Sequence, residues 1–298
     1  MQAAFGARRP VDPPSEALGE TVESVREALT TGTGVLVRLD GVPAATLLID
    51  PTATAEGEHP AVPGTVVLRR VSVHPDYQGG GVALQLVAAA EEIAAEDGAR
   101  RAELIARHEF PELITWWRAG GYRELRPAPH GVVLGRDLPV PVQVPTVDDM
   151  HALGERLAGV LRAGDLVIAS GDLGAGKTTL TQGLARGLGV DGPVISPTFV
   201  LSRVHPSRNG AGPSLVHVDA YRLGSPEEFD DLDLDESYGS SVTLVEWGLG
   251  LADHVNPDWL HIHIRRGDDD TRVVTLRPQG ARWRGVDLRA VVEGVPGA

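Results

Sequence analysis

The sequence contains no cysteine. Disulfides, thiolate metal sites and cysteine nucleophiles are therefore excluded. Phe, Trp and Tyr make up only 4% of it, so its cores must lean on Val, Leu, Ala and Ile. No apolar run approaches the ~20 residues of a membrane span. The opening stretch MQAAFGARRPVDPPSE has no apolar centre of signal type, so a cytoplasmic protein is expected. A positive excess is also missing. The net charge of −14 argues against a broad nucleic-acid surface, though not against RNA metabolism through protein partners. Lysine is nearly absent: Lys177 stands alone among 27 basic residues, the other 26 being arginine.

What is present fits two domains of ordinary size, given 298 residues and a prior of about 150 per domain. Hydrophobic periodicity predicts a helix over 15–30, with Leu18, Val22, Val25 and Leu29 on one stripe. A hairpin follows over 34–50, turning at Asp40-Gly41. Strands are expected at 65–73, 101–106 and 131–138, and helices at 82–98 and 110–121. The proline-bearing stretch PVPVQVPT (139–146) reads as the boundary, giving domains 1–139 and 140–298. Beyond it come a helix (147–164), a buried-type strand (165–170), a glycine-rich loop and a helix to about Gly187. Strands at 214–220, 242–247, 260–266 and 272–278 complete an α/β pattern, the last two as a hairpin around GDDD. The expected class is α/β in both halves: a mixed sheet first, then a largely parallel sheet with a C-terminal hairpin.

The stretch GDLGAGKTTL carries the spacing G-x-x-x-x-G-K-T at Gly171, Gly176, Lys177 and Thr178. Such glycines let amide N–H groups wrap a phosphate at a helix N-terminus. Asp172, Leu173, Gly174, Ala175 and Thr179 complete the cradle. The lysine reaches the terminal phosphates and the threonine hydroxyl serves Mg²⁺. A compact ammonium suits this cradle better than a planar guanidinium, which accounts for a lysine kept in an arginine-rich chain. Two apolar strands end in carboxylates, Asp219 and Glu246, at the edge where α/β sheets bind ligands. ISPTF offers Thr198 as a γ-phosphate sensor. The bland readings are solvated strand-end carboxylates and a solvated acidic face at 227–236.

In this order, GDLGAGKTTLTQGLARGLG, ISPTF, LVHVDAYRL and LVEWG resemble the bacterial TsaE family over residues 142 to about 280. These are P-loop ATPases of threonylcarbamoyladenosine formation on tRNA. The resemblance implies ATP and Mg²⁺ as cofactors. It implies Lys177 and the loop amides on the phosphates, Thr178 and Glu246 on Mg²⁺, Asp219 as the catalytic carboxylate, Thr198 in a switch loop and Trp247 near the nucleotide. His217, Tyr221 and Arg222 match the family's H-x-D-x-Y-R pattern. TsaD and TsaB are the implied partners, with tRNA reached indirectly.

In the first half, VSVHPDYQGGGVALQLVAAAEEIA repeats the strand, glycine turn and helix. It is similar to the phosphate-binding motif of GNAT-type N-acetyltransferases, and WWRAGGY (116–122) resembles that family's closing segment. The likeness implies acetyl-CoA at Val73, Gln78, Gly79, Gly80, Gly81, Val82 and Ala83. Trp117 stands where the family often has a tyrosine acid, and an indole cannot donate that proton. Tyr122 reads as core, and Glu103 as the nearest carboxylate. Two other functions stay open at this point: a P-loop small-molecule kinase, with Arg203 and Arg208 in a lid, and a non-catalytic nucleotide switch with an inert N-terminal scaffold.

Overall fold

The computed structural model describes residues 1–53, 62–190, 192–197, 199–210, 212–267 and 269–294. The chain divides into two compact units, Met1–Pro139 and Val140–Ala298.

The first unit runs α1 (Gln2–Gly6), α2 (Val22–Ala28), β1 (Thr33–Leu39), β2 (Val42–Asp50), β3 (Thr65–Val73), α3 (Val82–Glu96), β4 (Arg101–Arg107), α4 (Pro111–Ala119), β5 (Arg123–Ala128) and β6 (Gly131–Asp137). Its six strands lie in the order β1-β2-β3-β4-β6-β5. Asp40 and Gly41 both take positive φ, 50° and 81°, as a two-residue hairpin of this twist requires. Helix α3 lays Leu86, Ala90 and Ala94 against Leu47, Ile49, Leu68 and Leu104 of the sheet. Strands β3 and β4 are parallel, but they pair only at Thr65–Val67 with Arg101–Glu103. Both continue past that point, β3 to Val73 and β4 to Arg107.

The expected helix over 15–30 is broken. A 3-10 turn spans Glu16–Leu18, and α2 starts only after Thr21, which forms a capping box with Ser24. The box ends any helix arriving from upstream, because Thr21 is held extended at φ −114° and ψ 168°. Leu18, Val22 and Leu29 are exposed, so the stripe is not a core stripe. Strand β5 was not anticipated: RELRPA shows no apolar alternation.

The second unit runs β7 (Val140–Val144), α5 (Val147–Ala158), β8 (Leu166–Ser170), α6 (Lys177–Leu188), β9 (Ser202–His205), β10 (Ser214–Asp219), α7 (Pro226–Asp230), α8 (Asp235–Tyr238), β11 (Ser241–Glu246), β12 (Trp259–Arg266), β13 (Arg272–Gln279) and α9 (Leu288–Glu293). The seven strands are ordered β7-β13-β12-β8-β11-β10-β9. The central four, β12-β8-β11-β10, are mutually parallel. The flanking β9, β13 and β7 pair antiparallel, so parallel pairing is confined to the centre. The stretch read as the boundary holds an edge strand: Val140–Val144 pairs with β13. Its valines at 140, 142 and 144 face the core beneath α5, α6 and α9. A second cluster, with Phe229, Leu232 and Ala252, covers the other face.

Candidate functional site

Parallel strands present their carboxyl ends along one edge, and register decides which ends are neighbours. Asp219 pairs with Glu246, and Glu246 pairs with Ala169, two residues before the glycine loop. Both strand-end carboxylates therefore lie beside the loop.

The loop leaves no room for a side chain at Gly171. Gly171 has φ 138°, and a Cβ there would sit 2.1 Å from the Ile264 carbonyl oxygen. Gly176 caps α6 at φ 115°. Both conformations favour glycine. Lys177 is buried at 4% exposure. Its Nζ donates to the carbonyls of Gly171 (2.8 Å) and Asp172 (3.0 Å) and stands 3.9 Å from the centre of the Trp247 ring. Burial pushes the ammonium's pKa down, while Glu246, Asp219 and Asp172 pull it back up. Thr179 follows in the first turn of α6, and Leu173 at the loop's tip is 82% exposed.

Glu246 gathers two donors on one oxygen. Thr178 Oγ1 lies 2.8 Å from Oε1 and His217 Nε2 lies 2.9 Å from it. A carboxylate oxygen only accepts, so His217 carries a proton on Nε2. His217 is fully buried, and its Nδ1 has no partner among the described residues. Asp219 accepts from Ser196 Oγ at 2.9 Å and from the Tyr221 backbone N–H at 3.2 Å. Trp247 follows Glu246 with φ 63°, which turns its ring over Lys177 and against Tyr221, 5.3 Å between centroids. Arg222 stacks over Phe199 at 5.3 Å. Thr198 lies outside the described residues. Phe199, Tyr221 and Ile195 are exposed beside the loop, Phe199 at 87%.

Sequence reasoning missed three groups. Ser196, inside the quoted ISPTF, holds Asp219, and its hydroxyl beside the expected sensor was the available signal. Arg272 donates to the Ala175 carbonyl at 3.1 Å. On the opposite face, Ser170 Oγ lies 2.6 Å from His261 Nε2 and 2.9 Å from His263 Nδ1. The alternation His-Ile-His on β12 predicts that these rings share a face. Burial, with His263 and Arg277 adding to it, pushes His261 down to about 4. Of the two arginines expected in a lid, Arg203 lies on β9 opposite His217, and Arg208 falls away from the loop. Arg208 donates its backbone N–H to Gly189, beyond the far end of α6, roughly 18 Å of helix from the loop.

In the first unit, Gly79 (φ 83°) and Gly81 (φ 76°) shape the turn into α3, with Gly81 as its cap. Cβ atoms added at Gly79, Gly80 or Gly81 would meet nothing among the described residues within 4 Å, so the turn is open to a ligand. Gln78 Nε2 donates to Val73 O at 3.3 Å and ties the turn to the end of β3. Val82 is buried and Ala83 follows it in the first turn. The turn lies at the end of β3, where β3 and β4 no longer pair. Trp117 is buried edge-on against Trp116 and Tyr122, at 4.8 and 4.7 Å. The Tyr122 hydroxyl donates to buried Glu91 at 3.0 Å. Glu103 is also buried and accepts from Arg126 at 2.9 Å.

Two family models match the chain. Threonylcarbamoyl adenosine biosynthesis protein TsaE covers residues 144–274, and the acetyltransferase (GNAT) family covers 7–119. A Streptomyces coelicolor protein, tRNA threonylcarbamoyladenosine biosynthesis protein TsaE, is 58% identical over 144 residues, 47% of this chain and 97% of its own length. Its Bacillus subtilis namesake is 39% identical over 137 residues, 46% of this chain and 84% of the relative. Among solved structures, Bacillus subtilis YdiB is 30% identical with a TM-score of 0.43, covering 52% of this chain and 95% of that one.

Proposed function

This chain belongs to the TsaE family through its second unit, and from that premise we propose that it binds and hydrolyses ATP in threonylcarbamoyladenosine formation on tRNA. The observation that carries the reading is the chain Thr178–Glu246–His217 set beside a buried lysine in a glycine cradle.

Lys177 and the amides of 171–179 hold the phosphates. Thr178 Oγ1 and Glu246 Oε1 converge at 2.8 Å, two hard oxygens of the kind Mg²⁺ takes when it also binds phosphate. The fit is good, and bound Mg²⁺ would supply charge neutralisation between the phosphates. His217 fixes the orientation of Glu246 from behind. Asp219, steered by Ser196 and the Tyr221 N–H, is the carboxylate that orients a water for attack. Trp247 closes over Lys177. The exposed rim of Leu173, Ile195, Phe199 and Tyr221 supports docking of protein partners, and TsaD and TsaB are those the family implies. Arg208, at the far end of α6, gives a kinase lid no support.

The first unit carries the GNAT match, and its open turn supports acetyl-CoA binding at Val73 and Gln78–Ala83, with the pyrophosphate on the amides at the start of α3. With Trp117 packed in the core, proton transfer to the leaving thiolate does not come from that position. Isothermal titration with acetyl-CoA tests this, and no heat with acetyl-CoA or CoA would sink it.

The ATPase reading is tested by multiple-turnover threonylcarbamoyladenosine synthesis on unmodified tRNA. The reaction holds purified TsaD, TsaB and a source of threonylcarbamoyl-adenylate. Synthesis that depends on the wild-type chain and fails with Lys177→Ala supports it. Synthesis indifferent to both rejects it.

A further inference from the structure

The outer side of the phosphate loop is moulded by one hairpin, β12–β13, which lies nearly a hundred residues downstream. Gly171 presses on the backbone of Ile264. A Cβ at Gly174 would lie 3.1 Å from Arg266 Nη2. Ser170, just before the loop, is held by His261 and His263. At the crest, Arg272 Nε donates to the carbonyl of Ala175 at 3.1 Å. Ala175 is completely buried, so this carbonyl has no recourse to solvent.

The Arg272 contact differs from the others, because it fixes the direction of a peptide. In a trans peptide the carbonyl of one residue and the N–H of the next point opposite ways. Holding the Ala175 carbonyl outward turns the Gly176 N–H inward. That amide belongs to the cradle, at the cap of α6, where a helix N-terminus favours an anion. Gly176 takes φ 115°, and glycine resists peptide rotation less than any other residue, so the orientation needs an external restraint. Arg272 is itself pre-set, since its Nη1 also donates to the carbonyls of Asp270 and Thr271 in its own turn.

We propose that Arg272 is a positioning residue for the phosphate cradle, keeping the Gly176 N–H turned toward the phosphates through the Ala175 carbonyl. The proposal rests on the nucleotide-binding reading above. It requires the arginine's Nε–H donor, not merely its bulk or its charge.

The test compares wild type, Arg272→Met and Arg272→Lys in the full chain. Titration calorimetry measures affinity for ATP with Mg²⁺ and for inorganic pyrophosphate. Hydrogen exchange follows the amides of residues 174–178. The methionine variant keeps the stem and loses the donor. It is expected to bind both ligands about ten- to a hundredfold more weakly, the range for loss of one charge-assisted bond. Its loop amides should exchange faster, while amides of β8 and β11 stay protected as in wild type. The lysine variant should recover part of the affinity. A merely structural role would loosen β8 and β11 along with the loop, and that pattern overturns the proposal. So does ATP binding by the methionine variant within twofold of wild type. If wild type itself takes up neither ATP nor pyrophosphate, the nucleotide reading fails and the role of Arg272 with it.

Discussion

Glu246 is the residue whose replacement separates shape from charge. Its Oε1 accepts from Thr178 and from fully buried His217. Glu246→Ala strips both donors of their partner. An unsatisfied buried donor costs about 1–3 kcal/mol. That falls on His217, whereas half-buried Thr178 can turn its hydroxyl to water, so the loss amounts to about 1–3 kcal/mol. A change of tautomer offers His217 no alternative, since its Nδ1 lacks a partner among the described residues. Glu246→Gln is different. The amide oxygen can take the place of Oε1 and keep both donors, so the loss should be about 1 kcal/mol or less. Hydrogen exchange of β8, β10 and β11 amides reads the opening free energy of this unit alone. Alanine should lower it by about 1–3 kcal/mol and glutamine barely, while Mg²⁺-dependent ATP hydrolysis falls about a hundredfold or more in both. If glutamine destabilises as much as alanine, the reasoning is refuted: the negative charge of Glu246, not its acceptor oxygen, would be holding His217.

Three further outcomes are expected. Lys177→Ala should weaken ATP binding about a hundredfold by calorimetry, and Lys177→Arg should not restore it, because the buried cradle has no room for a planar fork. Gly171→Ala should cost more than about 3 kcal/mol in urea unfolding of the second unit, since its Cβ would meet Ile264 O at 2.1 Å. Folded His261 titrates at about 4, below the ~6.5 of an unfolded chain. The unfolded state thus binds the extra proton between these values, so stability is full above ~6.5 and falls as pH drops toward 4, by at most about 3 kcal/mol. Unfolding measured against pH in His261→Asn should lose that part of the slope.

Much of the site was legible because its parts are local in sequence. The glycine spacing, Lys177 and Thr178 sit within eight consecutive residues, and a strand before them and a helix after them follow from periodicity. Asp219 and Glu246 could be placed at strand ends, but their adjacency depends on strand order, which no local pattern encodes. Arg272 reaches Ala175 across 97 positions, and nothing in TRVVTLRP marks that arginine from its neighbours. The edge strand β7 was hidden differently. Its prolines spoke for a linker, yet Val140, Val142 and Val144 alternate at period two, and an edge strand tolerates proline where no ladder donor is needed. The break before α2 could have been read from Thr21 and Ser24, whose capping box outweighs the apolar stripe running through it.

Lys177 is the sole lysine, so apart from the α-amine the chain offers a single primary amine. Acylating or reductively methylating reagents, which spread over dozens of sites in an ordinary protein, have one side-chain address here. That address lies inside the cradle, docked on Gly171 and Asp172. One mass increment therefore reports whether the cradle is open or filled. Lysine-selective isotope labelling likewise yields one side-chain resonance and no crowding. The composition that first singled out this residue has also made it a built-in gauge of occupancy.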